Sequence, residues 1–190
     1  MAGLLLATSI PLLCASAAAL ALLSRRSPLI AHRRVGRRDS TLWMLKLRTM
    51  WDDNSPERGS WLEYIDDETG PLGKNEQDSR VPSRFARFCR RHSIDELPQL
   101  LHVLRGEMSF VGPRPLTAAE LRRYYGNDAP EILEAKPGIT GLWQVSGRNR
   151  LSYAERRALD LKLVRGRSLG MYLRILVRTG AAIWTGANSW

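Results

Sequence analysis

Residues Gly3 to Leu23 form a run without a single charged side chain, and about 20 helical residues suffice to cross the roughly 30 Å hydrocarbon core of a bilayer. This segment belongs in a membrane. A cleaved signal peptide opens with Lys or Arg, whereas this chain opens Met1-Ala2-Gly3 and places its basic residues after the run. Arg25, Arg26, Arg33, Arg34, Arg37 and Arg38 stand against the single Asp39, which by the positive-inside rule keeps the downstream chain in the cytoplasm. Pro11 removes one backbone donor and disfavours the helical conformation at Ile10, and Ser9 can satisfy a carbonyl freed by such a break. A kinked span and a re-entrant helix that leaves by the face it entered fit these residues equally well.

The whole chain has 190 residues, enough for one domain with its own core and too few for two ordinary ones. Its 29 Lys and Arg against 19 Asp and Glu leave a net charge of +10, so an anionic partner is expected: nucleic acid, a membrane surface or a polyphosphate. Only Cys14 and Cys89 are present, which implies no disulfide framework. His32, His92 and His102 have no ligand spacing and exclude a zinc site.

A turn signal at Gly36 and Asp39-Ser40 precedes Thr41 to Leu47, which reads as a strand or hairpin. Residues 51 to 80 hold nine carboxylates against three basic residues, with Pro and Gly interspersed, and read as a solvated loop. Residues 80 to 92 alternate Arg with Phe, Ala and Cys at helical spacing, giving a basic amphipathic segment. Leu97, Leu100, Leu101 and Leu104 predict a helix stopped by Gly106. A Pro-rich turn at Gly112-Pro113-Arg114-Pro115 comes next, then a helix over 116–125 and a glycine-rich loop from Pro137 to Gly147. The last 35 residues hold two helices. In the second, Leu169, Leu173, Leu176, Val177 and Trp184 form an apolar stripe that suits either a membrane interface or the protein's own core.

The densest chemistry lies between Arg90 and Leu116. Ser93-x-x-Glu96 has capping-box spacing, so one reading makes both side chains helix caps; Pro98 favours a helix start at Asp95 instead. Asp95 and Glu96 then sit where carboxylates stay ionised and phosphate is also welcome. Phosphoryl transfer needs a nucleophile, a divalent cation and donors that neutralise spreading charge. A carboxylate can attack phosphorus, Mg2+ prefers one or two carboxylates plus phosphate oxygens, and Lys46, Arg48, Arg90, Arg114 and Arg148 supply positive charge. A Walker loop is absent.

The run SIDELPQLLHVLRGEMSFVGPRPL, with KLRTM (Lys46 to Met50) before it and KPGITGLWQVSGRN (Lys136 to Asn149) after it, resembles the monotopic phosphoglycosyl transferases, the bacterial sugar transferase family. The resemblance implies an α+β, predominantly helical fold: a re-entrant membrane helix over 1–24, and a cytoplasmic catalytic domain over 25–190 carrying interfacial amphipathic helices and a small β-hairpin. It implies Asp95 as the nucleophile on the β-phosphate of a UDP-sugar, Glu96 and Asp95 as Mg2+ ligands, and polyprenyl phosphate as acceptor. It further implies substrate contacts from Lys46, Arg48, Arg90, Pro113, Arg114, Pro115, Gly138, Thr140, Gly141, Gln144 and Arg148, and a membrane break at Ser9 and Pro11. The expected location is the cytoplasmic face of a bacterial inner membrane, with membrane lipid as a partner and no nucleic acid; homodimer formation stays open.

This chain departs from the family pattern in three places: Ile10 rather than Ser precedes the proline, the chain begins almost at the apolar run, and Tyr172 stands where the last helix normally carries an aspartate. The rival reading is a membrane-tethered, non-enzymatic binding protein with a basic surface. It accounts for the charge and leaves the Asp95-Glu96 pair unexplained.

Overall fold

A computed structural model describes residues 2–51, 61–66, 81 and 83–185; most of the acidic stretch expected to be a loop, and Arg80, lie outside them. The architecture is mixed and mostly helical. Helix α1 (Ala2–Ser24) runs unbroken through Pro11 and is long and apolar enough to cross a bilayer, about 34 Å at 1.5 Å per residue. Thr8 and Ser9 turn their hydroxyls back on the carbonyls of Leu4 and Leu6 at 3.0 Å each. Ser9 therefore bonds a carbonyl one residue before the Ala7 oxygen that Pro11 leaves without its helical donor.

Strands β1 (Leu29–Val35) and β2 (Thr41–Leu47) form the expected hairpin in antiparallel register, Leu29 opposite Leu47 and Val35 opposite Thr41. A third strand, β3 (Leu62–Ile65), adds in parallel to β1, giving the order β2-β1-β3. That strand falls inside the stretch expected to be loop, where four β-compatible residues are outnumbered by the surrounding carboxylates. One face of the sheet is anchored by Leu47, which packs with Leu20 of α1, Trp51, Val81, Ala86, Cys89 and Ile94. On the other, Leu42 and Met44 pack with Met108.

Helix α2 (Arg84–Arg91) is the expected basic amphipathic segment, with Ser83 capping the amides of Phe85 and Ala86. It ends at Arg91 with His92 as C-cap; Ser93 follows with a left-handed backbone (φ 54°), and a 3-10 turn over Ile94–Gln99 leads into α3 (Leu100–Leu104). Short parallel strands β4 (Ser109–Val111) and β5 (Gly138–Thr140) pair beside it, so part of the expected glycine-rich loop is a strand. The glycines explain the pairing: a Cβ on Gly138 would collide with the Gly112 nitrogen, so the two backbones meet only without side chains. Between them lie α4 (Ala118–Glu120), a π-helical turn over Leu121–Tyr125, and α5 (Ala129–Leu133). Gly126, at φ 48°, stops the helical run where the sequence places its end.

Helix α6 (Tyr153–Arg165) starts in a capping box of Ser152 and Glu155, and α7 (Leu169–Thr185) packs back on β4 and β5. The apolar residues of α7 divide between both expected environments. Ile175 is buried with Val111 and Leu163, and Met171, Tyr172 and Leu176 pack around them. Leu169, Leu173, Val177 and Trp184 are exposed. Tyr172 thus docks the helix through apolar contact.

Candidate active site

The catalytic candidates sit on the 3-10 turn after α2. Neither expected helix start is realised: no side chain caps the turn at Ser93, and Glu96 does not fold back on the Ser93 amide. The Glu96 carboxylate instead faces strand β2, with Oε1 2.8 Å from Lys46 Nζ. Lys46, expected as a substrate contact, is thereby tied to Glu96. Asp95 is only 8% exposed, held among buried Ile94, Pro98 and Gln99. Burial, with the negative charge of Asp95 added to it, pushes the Cys89 thiol up to about 11, so Cys89 is an inert core group. Cys89 and Ile94 pack with Leu20 of α1, which brings the apolar helix directly behind the Asp95 turn.

Two further blocks converge on this turn. Gly112 to Pro115 is clamped from three sides: the Gly112 amide donates to Thr140 O at 2.9 Å, the Gly138 amide donates to Pro113 O at 2.8 Å, and the Val35 amide donates to Leu116 O at 2.8 Å. Pro113 and Pro115 are buried and stiffen the turn. Arg114 projects from it over the Trp143 indole, 5.6 Å from the ring centroid. Arg148, left-handed at φ 48°, donates through Nε to Gln144 O at 3.0 Å. Burial lowers the Arg148 pKa, Glu96 opposes that shift, and Arg114 adds to it. A carboxylate from the 3-10 turn and two arginines from separate loops thus share one electrostatic neighbourhood.

The remaining expected contacts divide between the site and its scaffold. Arg90 reaches from α2 to Thr49 Oγ1 at 3.5 Å, at the exit of β2. Arg48 is buried under the sheet, donating to Ser27 O at 2.8 Å and pairing with Glu63 at 2.5 Å; this ties β3 to the start of β1. Thr140 Oγ1 lies 2.8 Å from Thr179 Oγ1. Thr179 gives its own proton to Ile175 O, so Thr140 is the donor, and the contact fastens β5 to α7. Gly141 admits the Gln144 side chain: a Cβ there would stand 2.6 Å from Gln144 Oε1. Gln144 Oε1 and Trp143 Nε1 are buried and have no hydrogen-bond partner among the described residues.

Several contributors escape the sequence reading. Trp143 lies inside the KPGITGLWQVSGRN block and is the stacking surface for Arg114 and, at 4.9 Å, for Arg156. His102 accepts from the Leu45 amide at 3.2 Å through Nε2 and meets Glu107 Oε2 at 2.5 Å through Nδ1, which fixes the Nδ1-H tautomer. It staples β2 to α3 and so sets the level at which Lys46 meets Glu96. Its only advance signal was an isolated histidine among leucines, which does not distinguish a staple from any other core residue.

Two carboxylates next to one another suit Mg2+ carried in by phosphate oxygens; among the described residues no cluster of three or more His, Cys, Asp or Glu exists to build an all-protein cage.

The bacterial sugar transferase family model matches residues 1–186. The chain is 42% identical over 161 residues to the UDP-galactose-lipid carrier transferase of Erwinia amylovora, covering 80% of this chain and 32% of that protein. It is 40% identical over 162 residues to the exopolysaccharide production protein ExoY of Sinorhizobium fredii, covering 84% of this chain and 71% of the relative. Against the UDP-glucose:undecaprenyl-phosphate glucose-1-phosphate transferase of Caulobacter vibrioides it is 39% identical over 199 residues, covering the whole chain and 68% of the relative. This chain belongs to the bacterial sugar transferase family.

Proposed function

We propose that this protein transfers a sugar 1-phosphate from a UDP-sugar to polyprenyl phosphate, releasing UMP, and so initiates assembly of a bacterial surface polysaccharide or glycoconjugate. The observation that carries the reading is the convergence of Glu96, Lys46, Arg148 and Arg114 around the Asp95 turn. A UDP-sugar is a substrate named for the Erwinia and Caulobacter relatives, and undecaprenyl phosphate for the latter.

In the first half-reaction an Asp95 carboxylate oxygen bonds to the β-phosphorus. The bond from that phosphorus to the bridging oxygen breaks, and UMP leaves with the electron pair. Lys46, Arg114 and Arg148 face the negative charge that spreads over the phosphoryl oxygens. In the second, an oxygen of polyprenyl phosphate bonds to the same phosphorus, the acyl-phosphate bond breaks and the Asp95 carboxylate is restored. Asp95 and Glu96 would hold Mg2+, which neutralises diphosphate charge when bound. Burial of Asp95 keeps water from the acyl phosphate, whose hydrolysis would waste the donor.

The protein sits at the cytoplasmic face of the inner membrane as a monotopic unit, with α1, which stays helical through Ser9 and Pro11, held along the catalytic domain rather than crossing to the far leaflet. Contacts along both halves of α1 support this arrangement. Leu20 packs with Leu47 and Ile94, and near the other end a Cβ on Gly3 would stand 3.8 Å from Leu104 of α3. A helix that crossed to the far leaflet would leave its first residues without such contacts. The exposed apolar residues of α7, with Phe88 and Leu104, continue the surface available to lipid. The test is to incubate membrane-embedded protein with a panel of UDP-sugars, Mg2+ and undecaprenyl phosphate and to assay UMP. One sugar is expected to give sustained release; folded protein that releases none with any sugar contradicts the proposal.

A further inference from the structure

Asp160 is the one carboxylate of α6 that is wholly buried, at 0% exposure. Tyr125, itself buried, donates its hydroxyl to Oδ2 at 2.8 Å. The other oxygen, Oδ1, is buried and has no hydrogen-bond partner among the described residues. A buried carboxylate oxygen left without a donor is costly, and such a group is retained in a core for a reason other than packing. An apolar residue of similar size would serve packing better.

The surroundings say which donor Asp160 serves. On α6, Arg156, Asp160 and Leu163 succeed one another at spacings of four and three, so they share one face of the helix. That face meets the turn carrying Arg114. Leu163 packs against Val111 of β4, three residues before Arg114. Arg156 lies over the Trp143 ring at 4.9 Å while Arg114 lies over the same ring at 5.6 Å. Tyr125 packs with Leu116 and Ile132, and both line a small cavity together with Arg114. Arg114 is also the nearby cation whose charge opposes the effect of burial on both Asp160 and Tyr125. Glu120 is the remaining titratable group acting on Tyr125, and its carboxylate is committed to the Thr117 amide.

We propose that Asp160 is a positioning residue for Arg114: Tyr125 fixes its carboxyl by one oxygen, and the other accepts from the Arg114 guanidinium when the diphosphate of the nucleotide sugar is bound. The inference rests on the proposed function only in taking a nucleoside diphosphate as the ligand of Arg114. Asp160 touches no reacting atom. Its effect is to hold the fork of Arg114 over Trp143 in the one orientation that meets phosphate oxygens, so that binding does not spend energy on freezing a mobile side chain.

The experiment is calorimetric binding of UDP, with Mg2+, to the full chain in nanodiscs, for wild type, Asp160→Asn, Arg114→Lys and the double variant. Asp160→Asn is expected to weaken UDP binding about tenfold, the scale of one charge-assisted hydrogen bond. In the Arg114→Lys background, where the shorter ammonium has no second arm to offer Asp160, the same change is expected to cost less than about threefold. Wild-type affinity in Asp160→Asn, or an equal loss in both backgrounds, overturns the proposal. Should Asp160→Asn not fold, Tyr125→Phe completes the same cycle, and the same two outcomes decide. Wild type that binds UDP with this coupling but releases no UMP counts against the proposed function alone; UMP release without the coupling counts against this inference alone.

Discussion

At the residue scale the proposed mechanism gives the two acidic neighbours different tasks, and their environments differ. Asp95 is buried, while Glu96 is partly exposed and faces Lys46. Asp95→Asn removes the attacking oxygen's charge and is expected to abolish turnover, by on the order of 1000-fold or more, while UDP binding remains measurable. Unchanged turnover in that variant would transfer the nucleophile's role elsewhere.

Asp160 yields a pH prediction of its own. Burial pushes its carboxyl up to about 7, with the Tyr125 hydroxyl and Arg114 pulling the other way. The folded protein then keeps a proton that the unfolded chain releases near pH 4. The stabilising contribution is complete below that pH and is lost as pH rises through about 7. Asp160→Asn should therefore lose less stability than wild type between pH 5 and 8, read as a smaller fall in Tm; parallel curves would rule out a raised Asp160 pKa. The adjacency that makes Asp95 and Glu96 candidates was legible from the chain. Their true posture was not: a capping box and a 3-10 turn differ by where one side chain reaches, and that is decided by Lys46, fifty residues away.

At the scale of elements, the site is an assembly of short pieces clamped to one another. Strands β4 and β5 approach so closely that Gly138→Ala forces a Cβ into the Gly112 backbone nitrogen. That substitution is expected to cost on the order of 1–3 kcal/mol or more and to lower activity with stability, read by thermal unfolding alongside UMP release. Thr179→Val deletes the acceptor of Thr140 and should cost about 1 kcal/mol with little effect on kcat; a large fall in kcat at unchanged stability would show that Thr140 serves substrate instead.

Hydrophobic pattern predicted α2, the β1-β2 hairpin, α6 and α7 because each is periodic over several residues. It missed β3, β4 and β5, which are three or four residues long and stabilised by pairing partners remote in sequence. Arg48 shows the same limit from the other side. Its strand-end position suggested phosphate, while Glu63 of β3, a strand the pattern did not reveal, takes its guanidinium.

At the scale of the molecule, the proposed membrane seat brings the charge of +10 and the apolar faces of α1 and α7 to one bilayer. Anionic lipid attracts the basic surface within about a Debye length, and exposed Leu169, Leu173, Val177 and Trp184 add apolar contact. Val177→Asp is expected to weaken retention on vesicles while the protein stays folded, because Val177 is exposed rather than part of the core. Equal retention would place α7 away from lipid.

The claim on which the rest depends is that Asp95 bonds transiently to phosphorus, and withholding the acceptor exposes it. Folded protein, given its UDP-sugar and Mg2+ without polyprenyl phosphate, should release about one UMP per chain. After rapid acid quench and digestion, mass spectrometry should find the sugar phosphate on the peptide containing Asp95, and polyprenyl phosphate should discharge it. The same label on any other residue, or full turnover to lipid-linked product by Asp95→Asn, would contradict it.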